Sequence, residues 1–538
     1  MKLKLLIYKI TICVIVIMQC GCEDNLDVKP SDKISDAAVW KDINLMDAYL
    51  SELYSRIPHG FHCAPGQILI NSENVTDNSR QKSGWISSNS IVVPGQITPS
   101  SNPFGSWSHC YNSIRACNIF IEQLPNSIYT EDKKSTKIAE AKFVRAFMYW
   151  ILVRGYGGVP IITKSLSVSD DLSLPRDTYK DCVDFILNEL AECANDLSAI
   201  DEIGNEYKSI ATKEACIAMA SRMCMYAERW KEGAAYAKKI IDDGKVSLYS
   251  DYNELFVKKQ ATCESIFEIY FSFPERGHNF NWVNEPRSFR VDWGSQSNPT
   301  QELVDAYEMI NGKKITDPTS GYDPQNPYLN RDKRFYATIL YHNAPYKGRF
   351  VDTRYKKGGD GLGVDYLSSV TGYYVRKFLE EDLEYGQEWQ TTTTWPELRY
   401  AEILLIYAEC KNEDSGPDES VYSAMNAIRE RAGLPNLPTD LDQGQMRKRI
   451  RNERRVELAF ENQRIYDIRR WDIGNKVLND KLFHGMKVTD GENGKLHYDP
   501  SYVNEVGGTQ VWHDRFKLWP IPKSECEKNK NMTQNPGY

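Results

Sequence analysis

Apolar positions recur at helical spacing in two stretches of this chain and lose that rhythm between them. Over residues 134–154, Ile138, Ala141, Val144, Met148 and Ile151 fall on one side of a helix. Phe143, Phe147 and Trp150 fall on another, and a helix apolar on two sides is sandwiched between neighbours. Gly155-Tyr156-Gly157-Gly158 and then Pro160 mark its end. Thr178-x-x-Asp181 has the spacing of a capping box. It opens a single apolar stripe of Tyr179, Val183, Leu187, Leu190, Ala194 and Leu197.

Residues 211–243 predict two helices broken near Arg229-Trp230-Lys231-Glu232-Gly233. The small residues Ala215, Ala218, Ala220, Ala234 and Ala237 allow close approach, and a Trp beside the turn is similar to a tetratricopeptide unit. Residues 398–413 and 422–432 predict another such pair, continued by one long or broken helix over 446–471. Between these regions, residues 245–396 are rich in Gly, Pro, Asn and aromatics, with strand-like runs at 265–271 and 336–341. This is an irregular, partly β insertion on a helical scaffold, and loops on a rigid scaffold are where binding residues concentrate.

Length and composition narrow the picture. The chain has 538 residues, enough for about three or four domains or for one large repeat array. Its net charge of −8 lacks the basic footprint of a nucleic-acid binder. A mean hydropathy of −0.54 excludes a polytopic membrane protein. Lys2, Lys4 and Lys9 precede a short apolar run over 10–18, the layout of a secretory signal. Gln19-Cys20-Gly21-Cys22 follows and resembles a lipobox. Gly21-Cys22 fits best as the acylation site, with Cys20 and cleavage to an unlipidated periplasmic form as alternatives. The cysteines beyond this segment form no CxxC, and Cys110, Cys117, Cys182, Cys193, Cys216 and Cys224 sit in apolar helical stretches as small hydrophobes.

Residues 447–472 carry eight Arg, with Glu453, Glu457 and Glu461 at i, i+4, i+8. Three like charges on one face repel, so cations must sit beside them, and Arg449, Arg454 and Arg464 are placed to do so. The segment is either an anion site or an ion-pair lock between helices, and buried charge is usually of the paired kind.

Several segments together resemble the SusD/RagB family of outer-membrane nutrient-binding lipoproteins. They are Arg399 to Glu409, Ala427 to Pro435, Glu453 to Glu461 continuing through Trp471, and the closing Leu518-Trp519-Pro520-Ile521-Pro522 and Gln534-Asn535-Pro536-Gly537-Tyr538. Arg331-Asp332-Lys333-Arg334-Phe335 and the turn over 156–160 also fit. The resemblance implies a mainly α fold, a tetratricopeptide-like superhelix carrying the loop-rich insertion. It implies a signal peptide over 1–21 and an N-terminal helical region over 22–244. A ligand-binding insertion over 245–396 and a C-terminal helical region over 397–538 would follow. It also implies lipidation at Cys22, with Glu23 and Asp24 as an export tag, and exposure on the outer membrane. The implied partner is a SusC-like TonB-dependent transporter, and the implied task is glycan capture. Some relatives capture peptides.

Sugar rings present an apolar face and a hydroxyl rim, so a site needs exposed aromatic planes beside polar groups. Trp85, after Asn78 and Arg80, is one candidate half. Asn281, Trp282 and Trp293 are the other, with core packing as the alternative for each Trp. Residues 331–357 carry eight basic and two acidic side chains, which would suit an anionic glycan. No cofactor is called for, although Gly358 to Asp365 resembles one calcium-binding turn and His59, His62 and Cys63 have ligand-like spacing. HExxH, GxSxG and P-loop motifs are absent, so the expectation is a non-catalytic binder, with a glycoside hydrolase on a helical scaffold as the third alternative.

Overall fold

The computed structural model describes residues 39–61, 72–82, 87–204, 208–290, 293–504 and 508–538. The helical part runs through α1 (Ile43–Ser55), α2 (Trp107–Gln123), α3 (Glu131–Tyr156), α4 (Tyr179–Asp196), α5 (Lys213–Tyr226) and α6 (Trp230–Asp243). It resumes with α7 (Tyr400–Ser415), α8 (Glu419–Arg431), α9 (Gln443–Glu457) and α10 (Arg464–Arg470). From α2 to α8 each helix packs on the next in sequence, with α6 directly on α7, and α9 packs back on α7. The helical stack therefore continues across the long excursion between those two helices.

Local chemistry explains the boundaries. The sandwiched α3 buries both faces, from Ala139 through Tyr156, and ends where Gly157 takes φ 79°. The Thr178 hydroxyl accepts the Asp181 N–H at 3.1 Å to start α4. A full reciprocal capping box opens α9 instead, between Asp442 and Gln445. Gly233 is in α6 because a Cβ there would lie 2.8 Å from the Cys410 Sγ of α7. The helical cysteines Cys110, Cys117, Cys182, Cys193, Cys216 and Cys224 are buried free thiols.

One expectation changes. The run over 336–341 is a short helix, Lys333–Thr338, followed by a two-residue strand, Ile339–Leu340. Asp332 causes this, since its carboxylate caps the Arg334 N–H at 2.9 Å. The stretch over 446–471 takes the broken of its two expected forms, because Phe460 and Asn462 turn left-handed at φ 63° and 59°. Glu461 thereby leaves the helix that carries Glu453 and Glu457.

The excursion carries short two-stranded ribbons among its loops. Strand β1 (Ser79–Gln81) pairs antiparallel with β3 (Ser297–Pro299), with Arg80 opposite Asn298. Strand β2 (Ser265–Ile269) pairs antiparallel with β4 (Trp395–Arg399), bringing the two ends of the excursion together at the foot of α7. A longer ribbon, β5 (Phe483–Asp490) with β6 (Leu496–Asn504), closes the C-terminal part.

Beneath the excursion lies a buried ion network. Arg399 reaches Glu264 and Glu457 at 2.7 Å each and grips Glu461 through two bonds of 2.7 Å. Arg334 bonds Glu453 at 2.6 Å and Glu457 at 2.9 Å, Arg431 also pairs with Glu457, and Lys377 reaches Glu461 at 2.6 Å. Burial would raise the Glu457 carboxyl, but the Arg431, Arg399 and Arg334 guanidinium groups outweigh it and hold it well below the usual range. The cations expected beside these glutamates are elsewhere. Arg449 pairs with Glu308, Arg454 with Asp467 and Arg464 with Asp77. Guanidinium groups from other elements fill the face, so the segment is an ion-pair lock.

Candidate functional site

The half of the site around Trp282 is built by a tight return of the chain. A short helix, Phe280–Asn284, is followed by a turn in which Ser295 N–H donates to Glu285 O and Gln296 N–H donates to Val283 O. Gly294 permits this turn, since its φ is +111° and a Cβ would sit 2.6 Å from Glu285 O. The return lays Trp293 on Trp282, with ring centroids 5.7 Å apart and planes at 13°. Both rings are half-buried, and the Arg290 guanidinium lies 5.8 Å from the Trp282 ring. The Trp282 indole N–H is buried and has no hydrogen-bond partner among the described residues.

Asn281 braces this unit from behind. Its amide donates to Glu285 Oε1 at 2.9 Å and Glu380 O at 2.8 Å, and accepts the Glu380 N–H at 3.0 Å. Asn78 is buried in the same way. It donates to Glu73 Oε2 at 2.9 Å and accepts from Arg455 at 2.8 Å. Both asparagines hold the frame rather than face outward.

Arg80 and Lys82 differ from them. Arg80 Nη1 donates to three carbonyls of its own loop, those of Asn74, Thr76 and Ser79, while its guanidinium stacks 3.8 Å from the Phe483 ring. Its Nη2 has no hydrogen-bond partner among the described residues. Lys82, just past β1, is 7 % exposed and its ammonium likewise has no hydrogen-bond partner among the described residues. It lies 5.4 Å from the ring of Tyr366, which is 81 % exposed. Burial lowers Lys82 to about 8, with Asp365 pulling the other way. Sequence reasoning missed Lys82, and no residue pattern marks it. Its signal is the lack of a partner. Trp85 and Cys22 lie outside the described residues, as do His62 and Cys63.

The β1–β3 register joins the two halves. Gln81 lies opposite Ser297, so Lys82 enters the structure beside the Gly294 turn that carries Trp293. Arg287 follows the Trp282 helix and bonds Asp365 at 2.9 Å, next to Tyr366.

Below this frame Asp77 accepts two bonds of 2.8 Å from Arg464. Burial would raise its carboxyl, but Arg455 and Arg464 hold it well below the usual range. Burial pushes Glu73 up to about 7, against the Asn78 hydrogen bond and Arg464.

Other candidates resolve differently. The basic run over 331–357 is largely paired inside the protein. Arg334 belongs to the ion network, Lys347 bonds Glu285, and Arg354 and Lys357 meet Asp490. In the glycine-rich turn over 358–365, Asp360 accepts from Ser288 N–H at 2.7 Å and Ser288 Oγ at 2.8 Å. Gly361 is required by packing, since a Cβ would strike Arg354 O. Among the described residues no group of three or more His, Cys, Asp or Glu could hold a metal. A recess of about 720 Å³ opens between α2 and the loop over 162–172, lined by Tyr111, Ile114, Ile162 and Leu166. The tryptophan pair is not part of it. Volume is the lesser guide here, because aromatic planes take a flat ligand on an open face.

Comparison with known proteins places the chain. A family model described as SusD family matches residues 263–538. A second, described as starch-binding associating with outer membrane, matches residues 24–225. A SusD-like protein of Bacteroides fragilis is 31 % identical, with a TM-score of 0.79 over 95 % of this chain and 100 % of that one. A SusD-like carbohydrate binding protein of the same species is 27 % identical, with a TM-score of 0.81 over 92 % and 100 %. SusD-like protein P2 of Formosa agariphila is 25 % identical, covering 99 % of both chains. The chain belongs to the SusD family, and its mainly α architecture is the SusD-like fold.

Proposed function

We propose, with membership of the SusD family as the premise, that this protein is a non-catalytic surface lipoprotein that captures oligosaccharides or polysaccharides. It is held on the outer membrane through Cys22 and passes its ligand to a SusC-like TonB-dependent transporter. The observation that carries the reading is the stacked, half-exposed Trp282–Trp293 pair. Parallel indole planes present the apolar surface that a pyranose face requires. Trp85 is proposed as a further aromatic contact to this surface, with Arg80 as a polar one. Asn78 and Asn281 act as its braces. Residues 245–396 supply the tryptophan pair, while 22–244 and 397–538 supply most of the scaffold.

Support for the membrane and glycan parts comes from the description of the second family model and from the carbohydrate-binding structural relative. The test uses a form beginning after Cys22, run through gels containing amylose, laminarin, xylan or polygalacturonate, with product analysis of the same samples. Retardation by a glycan without product, weakened at least tenfold by Trp282→Ala, is the expected result. Turnover of the glycan would overturn the non-catalytic reading. Binding to casein-derived peptides alone would replace the substrate class.

A further inference from the structure

An unpaired charge inside a protein is costly, and such groups are normally paired or neutralised. The structure obeys this rule around Glu457 and departs from it at the end of β1. Lys82 is 7 % exposed and its ammonium has no hydrogen-bond partner among the described residues, and Arg80, 2 % exposed, likewise leaves Nη2 without one. The acidic groups acting on them are Asp365, for Lys82, and Glu302 and Asp77, for Arg80. Each of the three is already engaged: Asp365 with Arg287, Glu302 with His484 at 2.6 Å, and Asp77 with Arg464. Positive charge there is therefore left over after local pairing, and it lies where the β1–β3 ribbon meets the Trp293 turn.

We propose that the Lys82 ammonium, backed by Arg80, is a binding point for one anionic substituent, a carboxylate or a sulfate ester, on a glycan lying across Trp282 and Trp293. The ligand class is thus an acidic glycan rather than a neutral one. The anion enters beside Tyr366, the exposed ring over which Lys82 sits. A charge-assisted hydrogen bond to a buried ammonium is about twice as strong as a neutral one, so one such contact discriminates acid from neutral ester. The glycan part of this proposal rests on the reading of the tryptophan pair given above. The anion point does not.

Two experiments separate these parts. Thermal unfolding of wild type and Lys82→Met is followed in sodium sulfate and in sodium chloride at matched ionic strength. Sulfate is expected to raise the Tm of wild type by about 2 °C more than that of Lys82→Met, because a ligand that binds the native state stabilises it. An equal response in the two proteins would overturn the anion point, whatever glycan is bound. Calorimetry then compares tetragalacturonate with its methyl ester, and dextran sulfate with dextran, which distinguishes carboxylate from sulfate. Preference for one acidic form of at least tenfold, collapsing in Lys82→Met, is expected. Trp282→Ala should weaken acid and ester alike. A preference unchanged in Lys82→Met would overturn the assignment to this residue. Loss of acid preference in Lys82→Met with no effect of Trp282→Ala would overturn the aromatic platform and leave the anion point standing.

Discussion

Two buried charged regions of this protein, a few strands apart, obey opposite rules. Around Glu457 three guanidinium groups meet one carboxylate, and Lys377 and Glu461 complete the set. At the end of β1, Lys82 and Arg80 are also buried, and the Lys82 ammonium and the Arg80 Nη2 have no hydrogen-bond partner among the described residues. The first arrangement has its partners built in, so it ties α7, α8 and α9 to the excursion and does no more. The second lacks a partner that the fold does not supply. The contrast teaches that buried charge marks scaffold when satisfied and marks a candidate site when not.

The sharpest way to break the comparison is to remove a partner from the satisfied region. Glu457→Gln leaves Arg399, Arg431 and Arg334 facing a neutral amide. Breaking one side of a buried ion network costs about 3–5 kcal/mol, so urea unfolding should show a loss of that size. A loss below ~1 kcal/mol would mean that the network is not what holds these helices.

Glu73 gives a pH test of the frame between the two regions. Its folded-state value of about 7 lies above the ordinary 4.5 of the unfolded chain. The native state therefore holds the proton more tightly between those values. The contribution is fully present below pH 4.5 and is lost as pH rises through 7, a swing of up to about 3 kcal/mol. In Glu73→Gln that loss should vanish. The variant's stability relative to wild type should rise between pH 5 and pH 8, as measured by urea midpoints at both pH values.

Gly294→Ala attacks the site's geometry without touching a ligand-facing group. A Cβ there meets Glu285 O at 2.6 Å in a backbone region that L residues avoid. A loss of about 1–3 kcal/mol follows, together with loss of the indole stacking signal in circular dichroism. Retained stacking would show that the turn does not set the pair.

How much of this was legible in the sequence follows from how far each signal reaches. The helices α3 to α6 were legible because their apolar period and their stops, Gly157 and the Arg229–Gly233 break, are local. The partners of the glutamates were not, because Arg399 and Arg334 lie 58 and 123 residues from Glu457. The left-handed turn at Phe460 and Asn462 carries no glycine to announce it. Trp282 and Trp293 were legible as residue types suited to a sugar face. Their stacking depends on one glycine conformation, which spacing does not encode. Asn281 and Asn78 read as ligand groups from their chemistry, whereas the fold uses them as braces. Lys82 was invisible, since an absent partner exists only in three dimensions.

The smallest effect concerns the unsatisfied region itself and has the opposite sign. If Lys82 is truly unpaired in the free protein, replacing its charge with an apolar side chain of similar length removes a desolvation cost. Lys82→Met should then be as stable as wild type or more stable, by up to about 1 kcal/mol, in dilute chloride near pH 7. Glu457→Gln and Lys82→Met would thus move the urea midpoint in opposite directions although each removes one buried charge. The gain should disappear when wild type is saturated with an acidic oligosaccharide, because the ligand then supplies the missing partner. A Lys82→Met protein clearly less stable than wild type would place a partner on that ammonium already, and the two regions would be following the same rule.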